Sequence, residues 1–160
     1  MRFSIEKPPP VMDPVLKRME YLTATTVLAR LPANEEKRLL EPLVPPTGKK
    51  LWYVRPENYL VFDPLAFALE LMGELTVSDQ LPTGDQWKAL DGIVMVGLRA
   101  GIQLIVPAEL AERAAAAGRP QLPFLALVSQ GVTETVADTV LLRSYPVSLK
   151  DLKSWLAGLD

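Results

Sequence analysis

Neither histidine nor cysteine occurs anywhere in the 160 residues. The first absence removes the side chain that most readily exchanges protons near neutral pH. The second removes thiolate nucleophiles, disulfides and the softest metal ligands. A Ser-His-Asp hydrolase and every cysteine-dependent enzyme are thereby excluded, and a zinc site loses both of its preferred donors. Long apolar runs are missing as well. The best candidate for one, 93–106, is interrupted by Gly97, Arg99, Gly101 and Gln103, short of the ~20 apolar residues that span a bilayer. Residues 1–7 run into prolines with no apolar core, so no secretory signal is expected. With no cysteine to report redox conditions, the expected compartment is the default one, the cytoplasm of a cell or infected host, or a particle if the source is viral.

What the chain does have is fifteen prolines and 49% hydrophobic residues against 22% charged ones. That composition suits a single globular domain burying roughly 68–70% of its unfolded surface. The net charge of −2 conceals a split. Residues 1–55 carry ten Lys/Arg and six Asp/Glu, whereas residues 56–160 carry seven and thirteen. Complementary halves of one fold account for this, and so does head-to-tail association or an acidic partner for the basic third.

Helix signals are strong. Asp13-Pro14 and Asp63-Pro64 each set a capping carboxylate before a proline suited to the first helical position. Val15, Leu16, Met19, Leu22 and Val27 then predict a helix over 14–31, ended by Pro32. Asn34 caps a second over 34–40. Leu65, Leu69 and Met72 predict a third to about Leu71, closed near Gly73. Capping-box spacing from Thr83 to Gln86, with Trp87, Leu90, Val94 and Leu98, predicts a helix over 85–99. A buried strand at 93–96, hairpinned to 102–106, competes with that assignment. Pro107 opens a helix to Ala117, and Ser148 starts one to the carboxyl end. Strands are expected at 2–6, 51–55, 102–106, 124–128 and 139–145.

Strand, helix, strand over 102–128 reads as a parallel crossover. The expected fold is therefore α/β or α+β: one domain over 13–160, a mixed sheet of about five strands and about six helices, preceded by an extended proline-rich arm over 1–12.

Candidate chemistry is sparse. Thr47-Gly48-Lys49-Lys50 has the lysine of a phosphate-binding loop, but Leu43 and Lys50 stand where glycine and a hydroxyl are needed. Lys49, Lys50, Trp52, Tyr53 and Arg55 mix cations with aromatic faces, as single-stranded nucleic acid requires. Strand alternation sets Trp52 with Val54 on one face and Tyr53 with Arg55 on the other. Carboxylates at Asp79, Asp85, Asp91, Glu109, Glu112, Glu134 and Asp138 are the raw material for a hard-cation site, with no spacing that gathers them. No cofactor, membrane or small-molecule ligand is inferred.

The expected function is accordingly a non-enzymatic assembly or adaptor subunit acting through protein–protein contacts or self-association, as in the multi-subunit shells of virus particles. Its expected contact residues are Phe3, Ile5, Pro8, Pro9, Pro10 and Val11 in the arm, and Pro45 and Pro46 in the proline loop. The arm is too short to form a core and too apolar to stay in water. A nucleic-acid accessory protein using the basic and aromatic strand is the first alternative, and a carboxylate-metal enzyme the second.

Overall fold

A strand is the natural conformation for Leu51-Trp52-Tyr53-Val54, four aromatic or aliphatic side chains with no helical spacing. In the computed structural model, which describes residues 43–44, 46–56, 63–128, 134–145 and 147–159, β1 spans Lys49–Val54. The elements that follow are α1 (Pro64–Met72), β2 (Gly73–Ser78), a 3₁₀ turn (Gly84–Trp87) and β3 (Gly92–Val96). Next come β4 (Arg99–Ala100), β5 (Gln103–Leu104), α2 (Pro107–Ala116) and β6 (Phe124–Val128), then β7 (Glu134–Ala137), β8 (Val140–Ser144) and α3 (Leu149–Ala157). No helix of the described residues is long and apolar enough to cross a membrane.

Six strands form one mixed sheet in the order β2-β1-β3-β6-β8-β7. The first five are mutually parallel, and β7 lies antiparallel against β8. From β1 the chain steps outward through α1 to β2, then returns past β1 to build β3, β6 and β8 on the other side. The direction of winding therefore reverses between β1 and β3, and the helices must fall on both faces.

Side-chain alternation divides the core accordingly. Leu51, Tyr53, Val94, Leu125 and Leu127 point to one face, under Leu65, Leu69 and Met72 of α1 and Leu149, Leu152 and Trp155 of α3. Trp52, Val54, Ile93, Met95, Phe124 and Ala126 point to the other, under Trp87 of the turn and Leu110 and Ala114 of α2. Leu43 and Val44 belong to the first cluster, and Lys153 Nζ of α3 donates to the Leu43 carbonyl at 2.8 Å. These two residues are buried, whereas the sequence suggested a surface loop over 43–50. Pro46, Thr47, Gly48 and Lys50 of that stretch are exposed.

Two glycines are fixed by close approach. A Cβ on Gly73 would run into the Lys49 carbonyl, which is why α1 passes into β2 without a loop. A Cβ on Gly92 would lie 2.7 Å from the Trp155 ring of α3.

The α/β architecture and mixed sheet match expectation, and so do α1, α2, α3, β1, β6 and β8 to within a few residues. Three α-helices are present among the described residues, against the six expected. The helices predicted at 14–31 and 34–40, the strand at 2–6 and the arm over 1–12 lie outside the described residues. The helix expected over 85–99 is a 3₁₀ turn followed by β3. Gln86 Oε1 does accept from the Thr83 amide at 2.9 Å, so the capping signal was genuine. Gly92 and the β-branched Ile93, Val94 and Val96 then favour a strand that is buried on both faces. The competing strand assignment was correct, but β3 pairs with β1 and β6 rather than with 102–106. The crossover into β6 therefore starts from β3 and passes through α2.

Replacing Gly92 with valine is expected to destabilise the fold by about 1–3 kcal/mol, the usual cost of overpacking against a ring that cannot retreat. Gly118→Ala, at φ +81 with open space around it, should cost about 1–2 kcal/mol through backbone strain alone. Urea midpoints measure both. If added Leu159→Ala, which opens room beside Gly92, offsets part of the first loss and none of the second, the two causes are separated.

Candidate functional site

In open parallel sheets ligands are held beyond the carboxyl ends of the strands, where the winding reverses. Here that point lies above Val54 and Val96, and the side chain seated there is Asp63. It is the one buried charged residue among those described, 7% exposed. The Asp-Pro signal places it as the cap of α1. Its Oδ1 accepts from the Leu65 and Ala66 amides at 3.0 and 3.2 Å. Its Oδ2 accepts from the Tyr53 hydroxyl at 2.8 Å and from Arg55 Nη1 at 2.9 Å. The Arg55 guanidinium also lies 5.9 Å from the centroid of the Tyr53 ring.

The amino end of a helix beside an arginine has the makings of an anion site. In this molecule the anion is already supplied by the chain. Both Asp63 oxygens are committed, two bonds each, to holding β1 against α1. The arrangement is structural, and it fills the position that an entering phosphate would take.

The other carboxylates are dispersed. Asp91 Oδ2 accepts from the Lys50 amide at 2.8 Å, Asp85 pairs with Lys88 at 2.9 Å, and Glu109 with Arg113 at 2.7 Å. Among the described residues no three acidic side chains come together in a way that would hold a metal.

Two shallow depressions of about 240 and 530 Å³ share Gln121, Pro123 and Gly158. They sit at the amino edge of the sheet, opposite the edge where this architecture holds ligands. Arg119, which lines the smaller one, is occupied: it donates to the carbonyls of Trp87, Lys88 and Leu90 at 2.6, 2.9 and 2.7 Å.

Of the expected basic and aromatic group, Lys50 is exposed and Lys49 and Arg55 are half-buried. Trp52 and Tyr53 are buried, at 6% and 0%, because the sheet is covered on both faces. Trp52 Nε1 donates to the Gln80 carbonyl at 2.8 Å. Neither ring presents a face on which a base could stack, which corrects the stacking half of that expectation. Of the expected contact residues, Pro46 is exposed, while Phe3, Ile5, Pro8, Pro9, Pro10, Val11 and Pro45 lie outside the described residues.

β5 lies inside the strand expected over 102–106; what sequence reasoning missed is its pairing with β4 and the exposure of the hairpin that results. Ile102, Leu104 and Val106 are 93%, 78% and 62% exposed. Ile105 and Ala100, on the other side of the same hairpin, are buried at 2% and 5%. The physical cause is legible in Ile102-Gln103-Leu104-Ile105-Val106, which is apolar on both faces of an extended chain. A strand inside the main sheet is covered on both sides, whereas a two-stranded hairpin lying on the domain is covered on one.

The hairpin is anchored at both ends. Gly101 takes φ +60 in its two-residue turn, as a primed turn requires, and its amide donates to the Asp79 carbonyl at 2.5 Å. The Ile105 amide donates to Leu98 O at 2.8 Å. Arg99 stands directly across from Leu104. It is exposed, and its Nε makes a 3.3 Å bond to Gly101 O.

Comparison with protein-family models, with characterised proteins and with solved structures gives no match for the chain.

Because Asp63 carries four hydrogen bonds in a buried position, Asp63→Ala is expected to destabilise the fold by about 3–5 kcal/mol, since it strands both the amides and the arginine. Asp63→Asn keeps the cap and should lose less. Equal unfolding midpoints for wild type and Asp63→Ala in chemical denaturation would refute this account of the β1–α1 joint.

Proposed function

We propose that the protein is a non-enzymatic assembly or adaptor subunit that works through protein–protein contact, with the β4–β5 hairpin as its contact surface. One observation carries the reading: three large apolar side chains within five residues are exposed, Ile102 in the turn of a well-anchored hairpin, Leu104 on β5 and Val106 at the cap of α2. Scattered apolar residues on a surface are ordinary, whereas a contiguous cluster is the pattern of an interaction site. The row costs solvation in the isolated chain, and the hairpin's firm attachment means that little ordering entropy is lost when a partner covers it. The self-filled switch point supports the same reading, since the usual ligand position is taken by Asp63.

The row stands in place of the proline loop as the primary contact. Exposed Pro46 lies at the amino edge near Met72, to whose carbonyl the Thr47 amide donates at 2.6 Å, while the hairpin projects beyond the carboxyl edge. The two surfaces are therefore at opposite ends of the sheet.

The wild-type chain is expected to show a sedimentation-average mass that rises with concentration; Leu104→Lys is expected to abolish that rise and to leave thermal stability within about 0.5 kcal/mol, as surface changes do. A wild-type mass that stays at 17.6 kDa at every concentration, or a variant that associates as the wild type does, would overturn the reading.

A further inference from the structure

Three features compete for a role beyond the fold: the outer edge of β2, the hairpin row, and the depressions at the amino edge of the sheet. The first has Glu74 and Thr76 exposed along it, a charged and polar border that discourages pairing. The second has its role above, and nothing in its own chemistry selects one partner over another. The third holds polar groups that folding has left unused.

Trp155 of α3 is 9% exposed, and its ring packs on Gly92. No group of the chain accepts from its Nε1. Side-chain nitrogens and oxygens that are fully buried among the described residues all have partners, so this one is reached by solvent. Trp155 lines the larger depression, and that is where the solvent lies. An indole N–H buried to this degree ordinarily finds an acceptor. Here the acceptor has to come from outside.

Asp138, in the turn between β7 and β8, is exposed and is the one charged side chain among the described residues that line the same depression. It takes part in none of the ion pairs found among the described residues. The carboxyl end of α3, the negative pole of its dipole, borders the space with no basic residue in its last turn. Pro123 and Leu141 give the lining an apolar part. Such a place asks for a cation on an apolar stem, with a hydrogen-bond acceptor beside it.

We infer that this groove binds an extended basic peptide segment of a partner protein, at a site separate from the hairpin. One lysine or arginine residue supplies all three parts: a charged head for Asp138, an aliphatic stem for the apolar lining, and a backbone carbonyl for Trp155 Nε1. A peptide is favoured over a free amine because the groove does not end there. It continues past Gln121, Pro123 and Gly158 into the smaller depression, where Asp91 offers a second carboxylate. The Lys50 amide engages only one Asp91 oxygen, and Arg119 nearby is spent on three carbonyls. An extended chain with two basic residues reaches both carboxylates, whereas a single amine reaches one. Small ligands are also held in clefts that bury most of their surface, which two shallow depressions do not do.

The test uses the full chain, isotope-labelled in its tryptophan side chains. Its three indole signals come from Trp52, Trp87 and Trp155, and the one lost in Trp155→Phe belongs to Trp155. Trp87, whose Nε1 is likewise unbonded but which lines neither depression, is the internal control. The probes are acetylated and amidated Ala-Lys-Ala-Ala-Lys-Ala, its counterpart with glutamate for lysine, and acetyl-lysine amide, each titrated to millimolar concentration. The lysine peptide should move the Trp155 signal saturably and leave that of Trp87 in place. Asp138→Asn should weaken binding about two- to fivefold, the worth of an exposed charge pair, and Asp138→Lys should abolish it.

A Trp155 signal that the lysine peptide leaves in place, or that the glutamate peptide moves as far, would overturn the inference. So would unchanged affinity in Asp138→Lys, or a Trp155 indole proton already protected from solvent exchange before any peptide is added. Equal affinity for acetyl-lysine amide would overturn the peptide as occupant. Leu104→Lys should bind the lysine peptide as the wild type does, so the groove and the hairpin stand or fall separately.

Discussion

Covering a parallel sheet on both faces dictates nearly everything else in this molecule. Once β1, β3 and β6 lie side by side, every residue of their central stretch must be acceptable to a core, above and below. That is why Ile93-Val94-Met95 and Phe124-Leu125-Ala126-Leu127 are unbroken apolar runs. It is also why aromatic rings that would advertise a binding surface elsewhere are spent here on packing: Tyr53 lies under α1 and Trp52 under the turn that precedes β3. The hairpin is the counterexample that shows the rule. Ile102, Leu104 and Val106 are as apolar as the residues of those runs, but a ribbon of two strands resting on the domain cannot be covered twice.

The joint between β1 and α1 shows how the same architecture disposes of its own weak point. A strand that ends beside a helix start leaves unpaired amides, and in many α/β proteins a ligand's phosphate satisfies them. Asp63 does so from within the chain and recruits Tyr53 and Arg55 from the strand. The buried side-chain polar atoms among the described residues are all partnered.

How much could be read in advance depended on whether the signal was local. Asp63-Pro64, Pro107 and Ser148 are local signals, and α1, α2 and α3 begin where those residues place them. Phe124–Val128 is equally plain as a strand. The 85–99 segment misled because Trp87, Leu90, Val94 and Leu98 do recur at helical intervals. The spacing arises from two different elements that happen to point apolar groups inward.

β2 was missed since Gly73 looks like a helix stop with a loop behind it, and its role in admitting the Lys49 carbonyl appears only in three dimensions. β4 is two residues long and has no periodicity to detect, whereas β5 is the two-residue centre of the strand expected over 102–106. The exposure of Ile102, Leu104 and Val106 was illegible for a deeper reason: a run apolar on both faces predicts burial, and only the number of covering layers decides otherwise.

The contact between Lys153 and the Leu43 carbonyl joins positions 110 residues apart, and it bears on the order in which the chain is made. α3 leaves the ribosome after all the other described elements, yet it packs on Leu43 and Val44, on the underside of β1, and through Trp155 on Gly92. The half-core beneath α1 therefore lacks this cover until residues 148–157 have been made. Residues 43–147 are already present, with their apolar face still open, when Ser148 starts the helix that covers it. A nascent chain of this design depends on speed or on shelter until α3 emerges, and α3 closes this half of the core rather than decorating a finished one.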